Sequence, residues 1–428
     1  MDIAKLIDRR NQLLGTGTAL FYTEPLNIVR GEGVWLFDAD GNQYMDLYNN
    51  VPCVGHANPH VVEAMHRQTR ALNVHSRYLH EGILDYAEQL LGHHHDHLTS
   101  VVFACSGTEA NEVALMMARF ATGGRGIICT DGAYHGNSTE VRKLSRAAAS
   151  NTAADREVRA IPFPQCYRSI REGASQEKLR DLYLDEVRSA IDAFVDSGVG
   201  FAGMLLCPIL ANEGLPDIPS GFMAGAAELV RKNGGLFICD EVQAGLCRSS
   251  RWWGYELMNF VPDIVSMGKP LGNGMPLSAV AAATELVNNF RSKTRYFNTF
   301  ASSPLQAAAG MAVLDVLEKD NLVASAAAIG DSMRAELRKI QPSCEAMGDV
   351  RGHGLFVGIE WVRDRESKTP DREGAIKIVN KLKDKGFLLS NAGALGNVLK
   401  VRPPLVFAQQ HADLFLTAFA ETLQELEQ

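Results

Sequence analysis

Residues 100–121 read SVVFACSGTEANEVALMMARFA and join an apolar run to a helical pattern through a Ser–Gly turn. The run at residues 100–105 has the length and aliphatic content of a buried strand. From Gly107 onward the apolar residues recur at helical spacing, so the strand is predicted to lead directly into a helix. A strand followed at once by a helix is the repeating unit of α/β folds.

The same alternation recurs along the chain and sets the predicted domains. Further apolar runs of strand length are GIICTDGA (126–133), GMLLCPIL (203–210), LFICDE (236–241), DIVSMG (263–268) and SAVAAAT (278–284). We therefore predict a large α/β domain over residues 55–315, with a mostly parallel central sheet flanked by helices. Residues 316–428 are predicted to form a smaller α+β domain, and residues 1–54 an N-terminal segment that packs with it.

Composition limits the class of protein and its partners. The chain has 428 residues, 46% of them hydrophobic, and a formal net charge of −8. No block of Lys or Arg could follow a nucleic-acid backbone, and no apolar run reaches the ~20 residues that cross a bilayer. The eight cysteines are scattered without a CxxC pair, which favours a reducing compartment. These features predict a cytoplasmic protein with no nucleic-acid or membrane partner.

Polar residues at the predicted strand ends indicate a binding site. Ser106, Gly107 and Thr108 stand between a strand and a helix, where hydroxyls and backbone N–H groups can hold a phosphate. The alternative for this segment is an ordinary helix cap, because Ser and Thr also cap helices. Tyr134 and His135 lie in a loop before Gly136, where an aromatic ring could cover a flat ligand.

Two charged residues at strand ends complete the pattern. Asp240 ends an apolar strand, and a carboxylate there is costly unless a cation or a donor neutralises it. Lys269 also follows an apolar strand, and a partly desolvated lysine amine is nucleophilic and can form a Schiff base. A phosphate cradle, an aromatic plate, an aspartate and a lysine match the phosphate, ring face, ring nitrogen and aldehyde of pyridoxal phosphate. The alternative for Lys269 alone is a solvated surface lysine.

The order of motifs resembles that of the class III, fold-type I pyridoxal-phosphate enzymes, the family of ω-amino-acid aminotransferases. The resemblance covers nearly the whole chain. Its motifs are GEGVWLFDADGNQYMDL (31–47), GHANPHVVEAM (55–65), SGTEANE (106–112), YHG (134–136), DEVQAGLCR (240–248), MGKPLGNGMP (267–276), RGHGLFVGIE (351–360) and RPPL (402–405).

The resemblance implies a role for each matching residue. Lys269 is implied as the Schiff-base lysine and Asp240 as the partner of the pyridinium nitrogen. The resemblance implies that Ser106, Gly107 and Thr108 form the phosphate loop and that Tyr134 and Val242 cover the two ring faces. Gln243 is implied to lie near the ring hydroxyl. Thr299 is implied to contact the phosphate of the cofactor in the neighbouring subunit. A homodimer or a dimer of dimers with shared active sites is therefore expected.

Departures from the family pattern concern the substrate. Where many amino-acid-using relatives have an arginine and a strand-end glutamate, this chain has Lys400 and Cys207, so a bidentate carboxylate grip is replaced by a point charge. Arg77, in NVHSRYLHEGI (73–83), resembles the subgroup of phospho-lyases that act on ethanolamine phosphate and related phosphorylated amines. Arg402 and Asn50 are further candidates for substrate binding. The alternatives are surface charges for Arg77 and Arg402 and a turn cap for Asn50.

Three functional hypotheses follow. The first is a phospho-lyase that eliminates phosphate from O-phosphoethanolamine or a close analogue and yields an aldehyde, ammonia and phosphate. The second is an aminotransferase that uses an ω-amine with pyruvate or glyoxylate, with the same catalytic residues. The third is a non-catalytic cofactor-binding protein, which the presence of Lys269 and Asp240 disfavours.

Two other motifs are not expected to take part in the function. GHHHDH (92–97) lacks an orderly ligand spacing and is predicted to be a solvated loop, so no metal site is expected. GTGTAL (15–20) has no preceding strand and no third glycine, so it is not a dinucleotide-binding fingerprint.

Overall fold

The computed structural model describes residues 3–145 and 156–427. Its strands are β1 (Ile28–Glu32), β2 (Trp35–Asp38), β3 (Gln43–Asp46), β4 (Ser100–Ala104), β5 (Gly126–Thr130), β6 (Val158–Ile161), β7 (Phe201–Leu206), β8 (Leu236–Asp240), β9 (Ile264–Met267), β10 (Ser278–Ala282), β11 (Met347–His353), β12 (Phe356–Trp361), β13 (Phe387–Leu388), β14 (Ser390–Ala392) and β15 (Val398–Val401). Its helices are α1 (Ile3–Leu14), α2 (Pro59–Ala71), α3 (Glu81–Gly92), α4 (Gly107–Thr122), α5 (Thr139–Arg142), α6 (Gln176–Asp196), α7 (Phe222–Lys232), α8 (Gly254–Leu257), α9 (Thr284–Thr294), α10 (Pro304–Lys319), α11 (Leu322–Ile340), α12 (Arg372–Asp384) and α13 (Gln409–Glu427), with 3-10 turns at Lys269–Gly272 and Gln341–Ser343. Over the described ranges, no helix has the length and apolar character needed to cross a membrane.

The largest sheet has seven strands in the order β4-β10-β9-β8-β7-β5-β6. The strands β9, β8, β7, β5 and β6 are parallel, whereas β10 is antiparallel to both of its neighbours. Every residue of β7 is buried, as expected for a strand whose sheet is covered on both faces. The predicted α/β class with a mostly parallel central sheet is confirmed.

Two four-stranded sheets lie outside the large one. The first has the order β1-β2-β3-β13, and its parallel β3–β13 pair joins residues 45–46 to residues 387–388. The second, β11-β12-β15-β14, is antiparallel. The N-terminal strands thus share a sheet with a strand from the C-terminal part of the chain. The division into residues 1–54, 55–315 and 316–428 stays a prediction, and α10 runs through its second boundary.

The direction of the strands places the candidate site. Because β10 is antiparallel to both β4 and β9, β4 runs in the same direction as the parallel strands. The loops that follow β4, β5, β7, β8 and β9 therefore begin at one edge of the sheet. Ligands of open α/β sheets bind outside the carboxyl ends of the strands, so this edge is where function is expected.

Candidate active site

A cavity of about 170 Å³ opens at the carboxyl edge of the large sheet. The sequence-predicted residues that line it are Gly107, Thr108, Tyr134, Asp240, Val242, Gln243 and Lys269. These residues come from the carboxyl ends of β5, β8 and β9 and from the start of α4. The structure therefore brings the predicted strand-end residues together.

The first turn of α4 forms one wall of the cavity. The Ser106 hydroxyl accepts a hydrogen bond from the backbone N–H of Glu109 at 3.2 Å, so it caps the helix. The carboxylate of Glu109 in turn accepts from the backbone N–H of Cys105 at 2.7 Å. Both predicted interpretations of this segment are thus compatible: the Ser106 side chain caps the helix, while Gly107 and Thr108 line the cavity.

Two glycines leave the space that a ligand would need beside this turn. A Cβ on Gly107 would lie 3.0 Å from a side-chain carbon of Val242, and a Cβ on Gly136 would lie 2.5 Å from the Thr108 hydroxyl. Gly136 also has φ +146°, a backbone conformation that other residues rarely adopt. The cradle at the N-terminus of α4 therefore depends on both glycines.

Asp240 is held by three donors at the end of β8. Its Oδ2 atom accepts from Asn111 Nδ2 at 3.0 Å and lies 2.6 Å from His135 Nδ1, and its Oδ1 atom accepts from the backbone N–H of Val242 at 3.0 Å. The side chains of Asp240 and His135 are both buried. These hydrogen bonds compensate for the water that the carboxylate loses on burial. Asp240 is thus a buried negative charge at the cavity wall.

Lys269 follows β9 in a left-handed backbone conformation with φ +42°. Burial and, to a smaller extent, the nearby Arg402 charge lower the pKa of its amine to about 8, and Asp240 opposes the shift. A larger fraction of the amine is therefore neutral and nucleophilic near neutral pH than for an exposed lysine. This environment suits an amine that must attack an aldehyde.

A chain of polar side chains connects the loop after β5 to the segment after β15. Asn212 Nδ2 donates to the Tyr134 carbonyl at 2.9 Å, and Gln243 Nε2 donates to Asn212 Oδ1 at 2.8 Å. Arg402 then donates to the Gln243 side-chain oxygen. Tyr134 is 45% exposed and lines the cavity. Gln243 is thus oriented by both of its neighbours.

Lys400 and Arg402 are both buried. Burial lowers the pKa of Arg402 to about 10, and burial together with the Arg402 and Lys269 charges lowers the pKa of Lys400 well below its ordinary value. Arg402 also donates from Nε to the Tyr48 carbonyl at 3.0 Å. The surface-charge interpretation is therefore wrong for Arg402, and its guanidinium is already engaged by protein groups.

The other residues predicted to bind substrate or phosphate do not line this cavity. Among the described residues, the cavity lining does not include Lys400, Arg402, Asn50, Arg77 or Thr299. Arg77 and Thr299 are exposed. Asn50 is buried and accepts from Arg248 Nε at 3.0 Å. Arg77 and Thr299 therefore do not contribute to the lining of this cavity within the described chain.

Arg77 lies against a ring of the segment that carries Thr299. The Arg77 guanidinium carbon is 4.2 Å from the centre of the Phe297 ring. The neighbouring Tyr78, Leu79 and Phe300 are 64%, 99% and 76% exposed. We call residues 77–79 and 297–300 the 77/297 surface. This surface combines a cation with large apolar side chains that are mostly exposed in the described chain.

The sequence reasoning missed several polar residues that shape the site. Asn111 lies one helical turn after Gly107 on α4, so helical spacing could have placed it beside the phosphate loop. Asn212 and Glu213 lie in the loop after β7, and Arg248 follows the 240–243 segment. Their burial depends on tertiary packing, and no local pattern marks them.

The histidine-rich motif at residues 92–97 differs from the prediction in one respect. His94 is buried, its ring stacks on Trp253 with centroids 4.0 Å apart, and its Nδ1 atom lies 3.3 Å from the Tyr255 hydroxyl. The solvated-loop prediction is therefore wrong for His94, which is a core residue. Among the described residues, no group of three or more potential metal ligands is present.

The chain is similar to known proteins over most of its length. The profile of the aminotransferase class-III family matches residues 21–423. An alanine–glyoxylate aminotransferase 2-like protein of Drosophila melanogaster is 35% identical over 426 residues, which cover 97% of this chain and 86% of that protein. Ethanolamine-phosphate phospho-lyase homolog 1 of Caenorhabditis elegans is 34% identical and covers 98% of this chain and 93% of its own. A solved structure of an Arthrobacter phospholyase in complex with phosphoethanolamine superimposes with a TM-score of 0.94 at 40% identity, over 98% of this chain and 99% of that one. The chain belongs to the class-III aminotransferase family.

The cofactor of this family is pyridoxal 5′-phosphate, and the cavity fits it. The first turn of α4, where Gly107 and Thr108 line the cavity, suits a phosphate. The buried carboxylate of Asp240 suits a protonated ring nitrogen, and Lys269 suits the aldehyde. The assignment of each contact to a residue remains a prediction.

Proposed function

We propose that this member of the class-III aminotransferase family is a phospho-lyase that eliminates phosphate from O-phosphoethanolamine or a related phosphorylated amine. The products are an aldehyde, ammonia and phosphate. The observation that carries the proposal is the buried amine of Lys400, whose pKa is lowered well below its ordinary value by burial and by the Arg402 and Lys269 charges. A bound anion would favour the protonated form of this amine, so this region favours an anionic ligand.

The relatives support the proposal in part. The Arthrobacter structure is a phospholyase with phosphoethanolamine bound, and the Caenorhabditis relative is named as a phospho-lyase homolog. The Drosophila relative is named as an aminotransferase-like protein. The family membership alone is therefore compatible with either reaction, and Lys400 is the observation that supports the lyase.

The proposed roles of the residues follow from their positions. Pyridoxal phosphate, when bound, stores the electrons of the carbon next to the substrate nitrogen. Asp240 keeps a proton on the ring nitrogen through its charge, and His135 and Asn111 orient its carboxylate. Lys269 Nζ removes the proton from the carbon that bears the substrate nitrogen. Phosphate then leaves from the adjacent carbon. Ordinary amino donors cannot undergo this elimination, because they lack such a leaving group.

Lys400 and Arg77 are proposed to anchor the substrate phosphate. Lys400 provides a buried amine whose pKa the nearby Lys269 charge helps to lower, and which a bound anion would favour in its protonated form. Arg77 is exposed and is proposed to reach the active site of a second copy, as Thr299 is proposed to reach that copy's cofactor phosphate. A dianion in a site shielded from water needs at least one such cation. Asn50 and Arg402 are proposed to support this region from behind, through Arg248 and Gln243.

The proposed assembly is a homodimer or a dimer of dimers, located in the cytoplasm. The 77/297 surface supports the assembly, because large exposed apolar groups favour association. Closed two-fold dimers are the commonest assemblies of identical chains. The partner in this proposal is a second copy of the chain.

The aminotransferase is the second candidate, since relatives carry that name. In that reaction the cofactor keeps the amino group until a keto acid removes it. A protein that binds the cofactor without catalysis is the third candidate, and the reactive environment of Lys269 argues against it.

The cofactor's visible absorption tests the proposal. Purified enzyme is mixed with excess O-phosphoethanolamine in the absence of a keto acid. A lyase regenerates the aldehyde form of the cofactor after every turnover, so that form persists until the substrate is consumed. An aminotransferase stops in the aminated form after one turnover, and this result would refute the proposal.

A further inference from the structure

The turn that carries Lys269 is followed by Asn273, to which neither the sequence analysis nor the proposed mechanism gives a role. The turn spans Lys269–Gly272 and follows β9. Lys269 has φ +42° and Asn273 has φ +49°, so left-handed residues stand at the start of the turn and directly after it. A lysine rarely adopts this conformation, because its Cβ crowds the backbone. Contacts around the turn must therefore hold Lys269 in place.

The backbone hydrogen bonds within the turn fix its shape. The N–H of Leu271 donates to the Gly268 carbonyl at 3.2 Å, and the N–H of Asn273 donates to the Pro270 carbonyl at 3.1 Å. Both bonds join residues that are close in the chain. They therefore do not attach the turn to any other part of the molecule.

The Asn273 side chain attaches the turn to residues 53–55. Its Oδ1 atom accepts from the backbone N–H of Val54 at 3.1 Å, and its Nδ2 atom donates to the Gly55 carbonyl at 3.0 Å. The buried Cys53 thiol donates to the Pro270 carbonyl at 3.3 Å, and burial raises the pKa of this thiol to about 12, so it keeps its proton. These three hydrogen bonds join segments that are 217 to 219 residues apart.

Residues 53–55 are themselves held by two other parts of the chain. The N–H of Leu405, in the RPPL motif after β15, donates to the Cys53 carbonyl at 2.6 Å. The N–H of His56 donates at 2.8 Å to the carbonyl of Gly33, which lies between β1 and β2. The segment is thus fixed to the N-terminal sheet and to the chain after β15, and it can serve as a support for the Lys269 turn.

We propose that Asn273 is a positioning residue for Lys269, whose two side-chain hydrogen bonds hold the turn against residues 53–55 and so place the Lys269 amine in the cavity. Without these bonds the turn can relax and shift the amine. The effective concentration of a reacting group falls steeply when it is displaced from its productive position. The inference deepens the proposed function and rests on Lys269 as the attachment point of the cofactor.

The competing explanation is that Asn273 is present only because asparagine tolerates a left-handed backbone. Asn273→Gly separates the two explanations, because glycine adopts this backbone freely but makes neither side-chain hydrogen bond. Asn273→Asp is the second variant, since it keeps the acceptor for the Val54 N–H but loses the donor to Gly55. The matched controls are Asn259→Gly and Asn259→Asp. Asn259 has φ +51°, is exposed and is not among the described residues that line the cavity.

The test measures how well Lys269 competes with a free amine for the cofactor. Methylamine is the probe, because it is small and has neither a phosphate nor a carboxylate. In the exchange, its nitrogen replaces the Lys269 nitrogen on the aldehyde carbon of pyridoxal phosphate, one C–N linkage forms as the other breaks, and two protons pass from methylamine to Lys269.

The cofactor-loaded enzyme is equilibrated with increasing methylamine at a fixed pH and is then treated briefly with borohydride. Borohydride supplies the hydride that reduces the remaining linkage to a stable single bond. Mass spectrometry of the chain then gives the fraction that carries the cofactor on Lys269. The methylamine concentration at half-displacement reports the effective concentration of the Lys269 amine, and thermal unfolding reports the stability of each variant.

Asn273→Gly is expected to lower the half-displacement concentration by roughly tenfold or more, whereas Asn259→Gly matches the wild-type enzyme. If Asn273→Gly does not fold, Asn273→Asp and Asn259→Asp decide by the same comparison. An unchanged half-displacement concentration, with or without a lower unfolding temperature, would overturn the inference, and so would a cofactor trapped on another lysine. The measurement needs no phosphate release. An enzyme that releases none from O-phosphoethanolamine but shows the expected displacement would refute the proposed function alone.

Discussion

Lys269 combines three features at a single residue. It has a left-handed backbone, it follows a buried strand, and its pKa is lowered to about 8 by burial and by the Arg402 charge. In the proposed mechanism this amine is both the attachment point of the cofactor and the base of the reaction. Removing it should therefore abolish activity completely.

Replacing Lys269 by alanine is expected to abolish turnover and the absorption band of the covalently attached cofactor. The cofactor can still bind through its phosphate at α4. Absorption spectra and activity are compared with Lys293→Ala, which removes an exposed lysine on α9. Retention of both the band and the activity in the Lys269 variant would assign the attachment to another residue.

A second prediction at the scale of single residues concerns the proposed anchors of the substrate phosphate. Lys400→Met and Arg77→Ala are each expected to raise the KM for O-phosphoethanolamine by a factor that corresponds to about 1.5–3 kcal/mol, the usual worth of a charged hydrogen bond. Turnover of small unphosphorylated amines should be little affected. Steady-state kinetics on both types of amine check this, and equal losses on the two would show that these residues serve folding or cofactor binding instead.

Residues with a local signature could be predicted from the sequence. Asp240 and Lys269 end apolar runs, and Gly107 and Thr108 separate a strand from a helix, so their placement at one edge follows from the parallel sheet. Glu213 has no such signature. Its burial depends on Thr130, on Arg351 and on the hairpin of β14 and β15, which are distant in the chain. Residues of this kind require the tertiary structure.

Among the elements, the short helix α8 depends on a buried carboxylate. Glu241 accepts hydrogen bonds from the backbone N–H groups of Gly254 and Tyr255 at 2.9 and 2.8 Å. Burial raises the pKa of Glu241 from 4.5 to about 7, although these hydrogen bonds oppose the shift. In the folded protein the carboxyl group therefore binds its proton more tightly than in the unfolded chain.

The sign of the resulting pH dependence follows from this shift. The stabilisation from the protonated group is complete below pH 4.5 and is lost as the pH rises to about 7. At 1.36 kcal/mol per pKa unit the loss is on the order of 3 kcal/mol. Glu241→Gln is expected to flatten the decline in unfolding free energy over this range, as measured by denaturant unfolding at several pH values. An unchanged slope, equal to that of Glu177→Gln at an exposed glutamate on α6, would contradict the prediction.

Element types were easier to predict than their partners. The runs at 203–210, 236–241 and 263–268 became β7, β8 and β9 because their apolar content suits a sheet covered on both faces. The run at 278–284 contains β10, whose antiparallel direction between β4 and β9 was not evident from its composition. Local composition indicates a strand but does not determine its neighbours or its direction.

At the scale of the whole molecule, the proposed active site needs residues from more than one chain. Arg77 and Thr299 are exposed on the 77/297 surface, and among the described residues they are absent from the lining of the cavity. The motifs predicted the large sheet, and the late strand β13 pairs with β3 of the N-terminal strands. The proposed contacts between copies would depend on surface geometry, which a single sequence does not encode in a local pattern.

Dilution is expected to reduce activity and cofactor content together, because each site would need residues from a second copy. Leu79→Asp should cause the same loss at higher protein concentration, since Leu79 is 99% exposed on the 77/297 surface. Leu414→Asp, at a 52% exposed leucine on α13, is the matched control. Sedimentation velocity gives the assembly state, and a fully active monomer would contradict the shared site.

The release of inorganic phosphate tests the central claim most directly. Purified cofactor-loaded enzyme is incubated with O-phosphoethanolamine and no keto acid, and phosphate, acetaldehyde and ammonia are measured over time. The account predicts equal amounts of the three products, in large excess over the active sites. Absence of phosphate release, together with transfer of an amino group from the substrate to added pyruvate, would show that the enzyme is an aminotransferase and contradict the account.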